Sequence, residues 1–214
     1  MMTEGYFEQL SVCDNDFQVV VDMLAMIAPT IDRQGLIYSL QSKFKTLPDL
    51  LASNYLSLTL NNHLGESGAL LIKYMQILLQ RSIRSRIKDR DLIKNIADLN
   101  HYLLYKMPLL TEEHIVIFLL DAKNYLIQEE ILAKGVTNEV FFHPRSVVRK
   151  VIEVNASAFI LVHNHPSGDP QPSNADIESS IGLVSICNEL SIVFHDHIIV
   201  GTDKIFSMKS AKCM

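Results

Sequence analysis

The segment His163–Asp176, "HNHPSGDPQPSNAD", places two histidines, three prolines, one glycine and two aspartates within fourteen residues. It overlaps "AFILVHNH", which is typical of a buried strand, and "SNADIESSIGLVSICNEL", which has helical spacing. Side chains two residues apart in a strand point to the same face, so His163 and His165 project together. The segment is therefore either a polar turn between a strand and a helix or a metal site.

Asp176 is the residue that favours the metal interpretation. A lone H-x-H on a strand is more often structural than metal-binding, and Ser173 and Asp176 alone have the S-x-x-D spacing of a helix cap. However, neutral imidazoles are good zinc ligands, and a catalytic zinc site has three protein ligands and one open position. The loop after His165 can fold the Asp176 carboxylate back over the strand end. The whole spacing, H-x-H-x(7)-S-x(2)-D, predicts a zinc site that also caps the helix.

The composition fits a globular protein without a strong basic field. The chain has 214 residues, 48% of them hydrophobic, and a formal net charge of -5. Cys13, Cys187 and Cys213 lie far apart, which argues against a disulfide framework and favours a reducing compartment. The N-terminal residues do not resemble a signal peptide, and the apolar run Val19–Ile31 is too short to span a bilayer. We therefore expect a cytoplasmic protein that does not enter a membrane.

The chain has two halves with different patterns. Residues 5–105 have helical spacing, and no convincing strand is visible before residue 110. After Pro108, strand-like and helix-like segments alternate, which indicates an α/β domain. The predicted domains are a helical one over residues 1–105 and an α/β one over residues 106–214. The predicted strands are "HIVIFLLD", "NYLIQEEILAKG", "AFILVHNH", "SIVFHDHIIVG" and a possible edge strand, "KIFSMK".

The spacing around His163 resembles the motif of the JAMM (MPN-plus) metalloproteases at every defined position. "HNHPSG" followed by "PS" and an aspartate is closer still to the bacterial RadC-like group of that family. "FLLDAKNYLI", "AKGVTNEV", "HPRSVVRKVIEVN" and "DHIIVG" are also similar to stretches of that group. The resemblance is dense over residues 110–201 and weaker before them. It implies a cytidine-deaminase-like α/β domain with a mixed sheet, preceded by a small all-α domain.

The resemblance also implies roles for the site residues. Zinc would be held by His163, His165 and Asp176, and an upstream glutamate would act as general base. The family position, eight residues before Asp121, is Glu113, and its neighbour Glu112 is the best replacement. Ser173 would donate a hydrogen bond to the oxyanion or position the attacking water. The implied activity is zinc-dependent hydrolysis of a peptide or isopeptide bond in a protein or peptide substrate. The glutamates considered for the base are Glu112, Glu113, Glu129 and Glu130.

A second H-x-H pair, His195 and His197, lies near the C-terminus. The strand period predicts that both point to one face, but no S-x-x-D follows them. We interpret this pair as structural or as supporting the site from behind. His143, just before Pro144, is interpreted as a structural residue at the start of a helix.

The helical half raises the alternative of a non-enzymatic DNA-associated protein with a structural or vestigial zinc site. RadC-like proteins usually carry a helix-hairpin-helix, and the matching place here is Asn62–Tyr74. Gly65 permits the turn, but His63 replaces the first glycine and Glu66 brings a negative charge, so a structural turn is favoured. A basic cluster is the other candidate for DNA contact, although its side chains are expected on more than one helix face. Its members are Arg81, Arg84, Arg86, Lys88 and Arg90. The sequence leaves the oligomeric state open.

Overall fold

A computed structural model of the chain describes residues 15–61, 63–135 and 142–214. The expected helical pattern over residues 5–14, Cys13 and most of "AKGVTNEV" lie outside the described residues. The chain forms two compact units, Met1–Leu79 and Gln80–Met214. The domain boundary expected at residues 105 and 106 therefore differs from the observed division.

The first unit is built from helices: α1 (Asp16–Ile27), α2 (Arg33–Lys43), α3 (Leu47–Ala52), α4 (Tyr55–Thr59) and the start of α5 (Gly65–Ile87). Capping side chains at Asn15, Asp32, Thr46 and Asn54 fix where the first four helices begin. The short helix α4 was not predicted, because five residues carry too little periodicity. The core of the first unit includes the fully buried side chains Val21, Leu36, Leu40, Leu50, Leu58 and Ile72.

The predicted turn before α5 is confirmed at Gly65, which has a φ of +65°. A glycine adopts this left-handed conformation without strain, and the space around an added Cβ is open. Glu66 accepts a hydrogen bond from the hydroxyl of Tyr55 at 3.1 Å. A carboxylate at the tip of the turn disfavours phosphate there, which supports the structural interpretation of the hairpin.

The second unit contains one mixed sheet with the strand order β2-β1-β3-β4-β5. Its strands are β1 (His114–Leu120), β2 (Leu126–Lys134), β3 (Ala158–Asn164), β4 (Val193–Val200) and β5 (Ile205–Ser207). Only the neighbours β3 and β4 are parallel, and the other three pairs are antiparallel. The predicted mixed sheet is therefore confirmed. The helices of this unit are α6 (Ile96–Lys106), α7 (Pro144–Glu153) and α8 (Asn174–Glu189), with a short 3-10 turn at Met107–Leu109.

The sheet has apolar clusters on both faces, which explains why β1 and β3 are buried at every position. One cluster joins Phe118 of β1 to Leu99 and Leu103 of α6. The other joins Phe159 of β3 to Val147 of α7 and to α8. Helix α6 thus belongs to the core of the sheet, although its sequence pattern continues that of the preceding helices. Helical spacing shows that a helix is amphipathic, but not which core its apolar face joins.

Among the described residues, no helix is both long and apolar enough to cross a membrane.

Candidate metal centre

Asn164, the central residue of the H-N-H triplet, joins the two strands that carry the site. It lies at the end of β3 and is buried, and its side-chain oxygen Oδ1 accepts a hydrogen bond from the backbone N–H of His114 at 2.8 Å. Its amide nitrogen donates to the carbonyl oxygens of Glu112 at 3.0 Å and Leu110 at 3.2 Å. These bonds fix the entry of β1, and with it Glu113, beside the histidines. No local sequence pattern indicates this role of Asn164, because the hydrogen bonds join residues about fifty positions apart in the chain.

The loop after the histidines is held against the end of β4. The backbone N–H of His165 donates to the carbonyl oxygen of Val200 at 2.8 Å. Gly168 has a φ of +90°, and a Cβ on Gly201 would lie 2.1 Å from the Gly168 carbonyl oxygen. Both glycines are therefore required by the close approach of the loop to the strand. This anchoring directs the chain toward the start of α8.

Ser173 and Asp176 form the predicted capping box at the start of α8, and this part of the prediction is confirmed. The Asp176 N–H donates to Ser173 Oγ at 3.1 Å, while Ser173 donates to Asp176 Oδ2 from its N–H at 2.9 Å and its hydroxyl at 2.6 Å. Burial raises the pKa of Asp176, but hydrogen bonds from His163 and Ser173 outweigh it and hold that pKa well below its usual range. The carboxylate is therefore charged and oriented by Ser173.

Each histidine of the first pair donates from Nδ1 to an oxygen. His163 Nδ1 lies 3.2 Å from Asp176 Oδ1, and His165 Nδ1 lies 2.8 Å from the carbonyl oxygen of Asp169. Because a carboxylate and a carbonyl only accept, both Nδ1 atoms carry the proton, and a neutral ring then has its lone pair on Nε2. Bonding the second ring nitrogen in this way is how metal-binding histidines are oriented in proteins. Both imidazoles are thus prepared to bind a metal ion through Nε2.

Glu113 and Glu112 have different surroundings. The Glu113 side chain is 12% exposed, and its Oε2 lies 3.9 Å from His163 Nε2. Glu112 is 39% exposed and pairs with Lys134 at 2.8 Å, and the hydrogen bond from Lys134 lowers its pKa. Glu113 is therefore the glutamate that faces the histidines. The other two candidates point elsewhere: Glu129 bonds to Tyr102 and Lys106, and Glu130 pairs with Lys150.

The structure brings all five predicted site residues into one neighbourhood. The ring centroids of His163 and His165 are 4.7 Å apart, and His165 Nε2 lies 4.0 Å from Asp176 Oδ2. Among the described residues, two groups of three side chains could each hold a metal ion, because their potential ligand atoms lie within 4.8 Å of one another. His163 belongs to both groups. One group adds Glu113 and His165, and the other adds Asp176 and His197. The roles assigned to these residues stay predictions. His197, predicted to be structural or to support the site, offers a potential ligand atom.

The chemistry of these atoms fits a zinc ion. Glu113 Oε2, His163 Nε2 and His197 Nε2 are buried and have no hydrogen-bond partner among the described residues. Buried polar atoms nearly always have a partner, and these three unpartnered atoms belong to the two groups of potential ligands that share His163, so they fit a bound metal ion. Imidazole nitrogens and carboxylate oxygens are the donors that zinc takes in catalytic sites.

Comparison with protein families agrees with this geometry. A family profile described as the RadC-like JAB domain matches residues 93–213. The chain belongs to this family. The match begins just before α6, so the family domain includes the helix that packs on the sheet. It covers the whole five-stranded sheet and every predicted site residue.

Within the RadC-like domain, the prediction that His195 and His197 share one face is wrong. The pairing of β3 with β4 shifts between Phe159 and Ile160, so that His195 is an extra residue without a partner on β3. Such a bulge resets the alternation of side chains. His197 lies beside His163 and Ser180, whereas His195 Nε2 lies 2.7 Å from Asn124 Oδ1 in the β1–β2 turn.

His143 occupies the N-cap position of α7 without a side-chain capping bond. Pro144 follows it in the first turn, where the missing N–H of proline has no cost. The position therefore agrees with the predicted helix start.

The basic cluster is partly gathered on one helix face. A cavity of about 390 Å³ in the second unit is lined by Arg81, Arg84 and Ser85 of α5 and by Lys88 in the turn after it, with Leu126 and Ile127 of β2. Among the described residues, Arg81, Arg84 and Lys88 have no ion pair, whereas Arg90 pairs with Asp98 at 3.1 Å. The expected spread over several faces therefore holds for the cluster as a whole, but Arg81 and Arg84, three residues apart, line the same cavity as Lys88.

Proposed function

We propose that the chain is a zinc-dependent hydrolase of peptide or isopeptide bonds. The observation that carries the proposal is Glu113 Oε2, a buried atom beside His163 and His165 that has no hydrogen-bond partner among the described residues. A base must lie within reach of the reacting group and must not be neutralised by another partner. Family membership supports the class of reaction. The order of the mixed sheet supports the cytidine-deaminase-like arrangement that the family resemblance implies.

The protein's own residues have separate tasks in this proposal. His163, His165 and Asp176 would hold the zinc ion, which supplies a Lewis acid and makes water acidic enough to attack near neutral pH. Glu113 would accept the proton of the attacking water on Oε2 and return it to the leaving amine. Ser173 orients Asp176 through the capping box, and in this proposal its hydroxyl would also donate a hydrogen bond to the oxyanion.

The test compares Glu113→Gln with Glu112→Gln. The wild-type chain with zinc should generate new amino termini or free lysine amines in a cell lysate, detected by mass spectrometry after amine labelling. Glu113→Gln should lose these products and keep its zinc, because glutamine is a poor base. Glu112→Gln should cleave like the wild type, because Glu112 pairs with Lys134 and does not face the histidines. Equal cleavage by Glu113→Gln, or no cleavage by the zinc-loaded wild type, would contradict the proposal.

A second candidate function is contact with nucleic acid, which the cavity beside α5 favours. Three cations that line one cavity, without carboxylate partners among the described residues, attract phosphates. Labelled duplex and single-stranded DNA should bind at low salt, and affinity should fall steeply as salt rises. Replacing Arg81, Arg84 and Lys88 with glutamine should reduce both the affinity and the salt slope. Arg90→Gln is the control because Arg90 is paired with Asp98. Absence of binding at low salt would remove this function.

A further inference from the structure

His197 is a fully buried imidazole behind the predicted ligands. It lies on β4 with 0% of its surface exposed. Its ring is nearly parallel to that of His163, with 6.1 Å between the centroids. A ring nitrogen of His197 and one potential ligand atom each of His163 and Asp176 lie within 4.8 Å of one another, and all three residues are buried. His197 therefore lies within the candidate metal centre.

Hydrogen bonds determine which nitrogen of His197 is available. The Ser180 hydroxyl oxygen lies 2.6 Å from the carbonyl oxygen of Asp176, and two oxygens at this distance need a proton between them. The carbonyl has no proton, so Ser180 donates its only one to Asp176. At the 2.8 Å contact with His197 Nδ1, Ser180 must then accept. His197 consequently carries a proton on Nδ1, and its neutral ring has the lone pair on Nε2.

This lone pair has no hydrogen-bond partner among the described residues. A histidine that donates from one nitrogen to a fixed oxygen and leaves the other free has the arrangement of a metal ligand. His163 and His165 have the same arrangement, which makes His197 the third imidazole of this kind in the site.

We propose that His163, Asp176 and His197 form an inner zinc-binding group, in which His197 Nε2 is a ligand absent from the predicted set. The inference rests on the zinc chemistry of the proposed function. Ligand atoms within 4.8 Å of one another can converge on an ion about 2 Å from each after movements on the order of 1 Å. A neutral imidazole has a single lone pair, so His163 binds one ion, and the inner group can hold this ion together with His165.

Zinc binding to the full chain tests this inference without any substrate. Zinc content after gel filtration and affinity from chelator competition should show that His165→Ala keeps about one ion per chain, because the inner group remains. Adding Ser180→Ala to His165→Ala should weaken the remaining zinc binding by about tenfold or more. His195→Ala is the matched control, since His195 lies on the same strand but bonds to Asn124.

Ser180 supplies a milder test that leaves the buried imidazole in place. Ser180→Ala should weaken zinc binding by about tenfold or more, as loss of an outer hydrogen bond does at other metal sites. Ser180→Thr should restore the affinity, because it restores the hydroxyl. In nitrogen-15 spectra of the histidine rings, His197 should carry its proton on Nδ1, and its Nε2 signal should move when zinc is added.

The outcomes separate this inference from the proposed function. Loss of all zinc in His165→Ala, together with unchanged affinity in Ser180→Ala, would overturn the inner group and leave the hydrolase proposal standing. A wild-type chain that binds no zinc would overturn both. Zinc retained by His165→Ala in a chain that cleaves nothing would support the inner group and contradict the hydrolase.

Discussion

The two H-x-H pairs, on the neighbouring parallel strands β3 and β4, show how one spacing can have different consequences. His163 and His165 both reach the candidate metal centre, because β3 is regular up to the loop that Gly168 and Gly201 anchor. The bulge in β4 separates His195 from His197, so that only His197 reaches the centre. A spacing of two residues therefore predicts that two side chains share one face of a sheet only where the strand pairing is regular.

Removing one histidine from each pair should produce the largest difference. His163→Ala should lose the zinc ion completely, because His163 belongs to both groups of potential ligands. His195→Ala should keep about one ion per chain, because its ring bonds to Asn124 instead. Elemental analysis of the gel-filtered proteins measures both. Full zinc content in His163→Ala would mean that the first pair is not the metal site.

The second difference concerns stability in acid. Burial, with the nearby His163, lowers the pKa of His197 to about 3, whereas an unfolded histidine titrates near pH 6.5. Between these values the unfolded chain takes up a proton that the folded chain does not, so stability is lost as the pH falls. Over that range, protonation of His197 in the unfolded chain lowers the unfolding free energy by about 1.4 kcal/mol for each pH unit that the pH falls. Urea unfolding of EDTA-treated protein should show a shallower pH dependence in His197→Gln than in the wild type.

His195 provides the control within the same strand. Burial also lowers the pKa of His195, with Lys209 contributing, so His195→Gln should change the pH dependence in the same direction. The change should be smaller than for His197→Gln, because His195 is only partly buried. Identical slopes for the two variants would indicate that the bulge does not separate their environments.

A third, smaller difference comes from the capping box of α8, which orients Asp176 beside the first pair. Ser173→Ala should cost about 1 kcal/mol of stability through loss of the cap, and it should also weaken zinc binding because Asp176 is no longer oriented. Thr46→Ala removes the equivalent capping box of α3 and should cost a similar amount without changing zinc affinity. Thermal unfolding and chelator competition measure the two effects. Unchanged zinc affinity in Ser173→Ala would restrict Ser173 to capping.

The smallest expected effect is the loss of the bond between His195 and Asn124. Asn124→Gly should lower the unfolding free energy by about 1 kcal/mol, as loss of a part-buried hydrogen bond usually does, because glycine keeps the φ of +62° without strain, and it should leave zinc binding unchanged. Urea unfolding at pH 7 measures it. A change in zinc affinity would connect the second pair to the metal centre in a way that the strand bulge does not provide.

The H-x-H-x(7)-S-x(2)-D spacing was sufficient to predict that four side chains lie close together. These residues, His163, His165, Ser173 and Asp176, span only a strand end, one loop and a helix start. Local rules of strand alternation and helix capping connect these residues over fourteen positions. The partner Glu113 came from the family position, since nothing local distinguishes it from Glu112. The structure separates the two glutamates through a contact with Lys134 that comes from a neighbouring strand.

The sequence by itself determined the two patterns of the chain, the mixed α/β character of its second half and the spacing of the first histidine pair, because each depends on neighbouring residues. Only the tertiary structure decided that α6 joins the sheet, that Asn164 ties Glu113 to the histidines and that His197 enters the site. These three facts depend on contacts between distant segments, and on a bulge that one strand alone does not reveal. The geometry of residues close in sequence follows from strand alternation and helix capping, whereas the side chains that meet at the candidate metal centre depend on how distant segments pack.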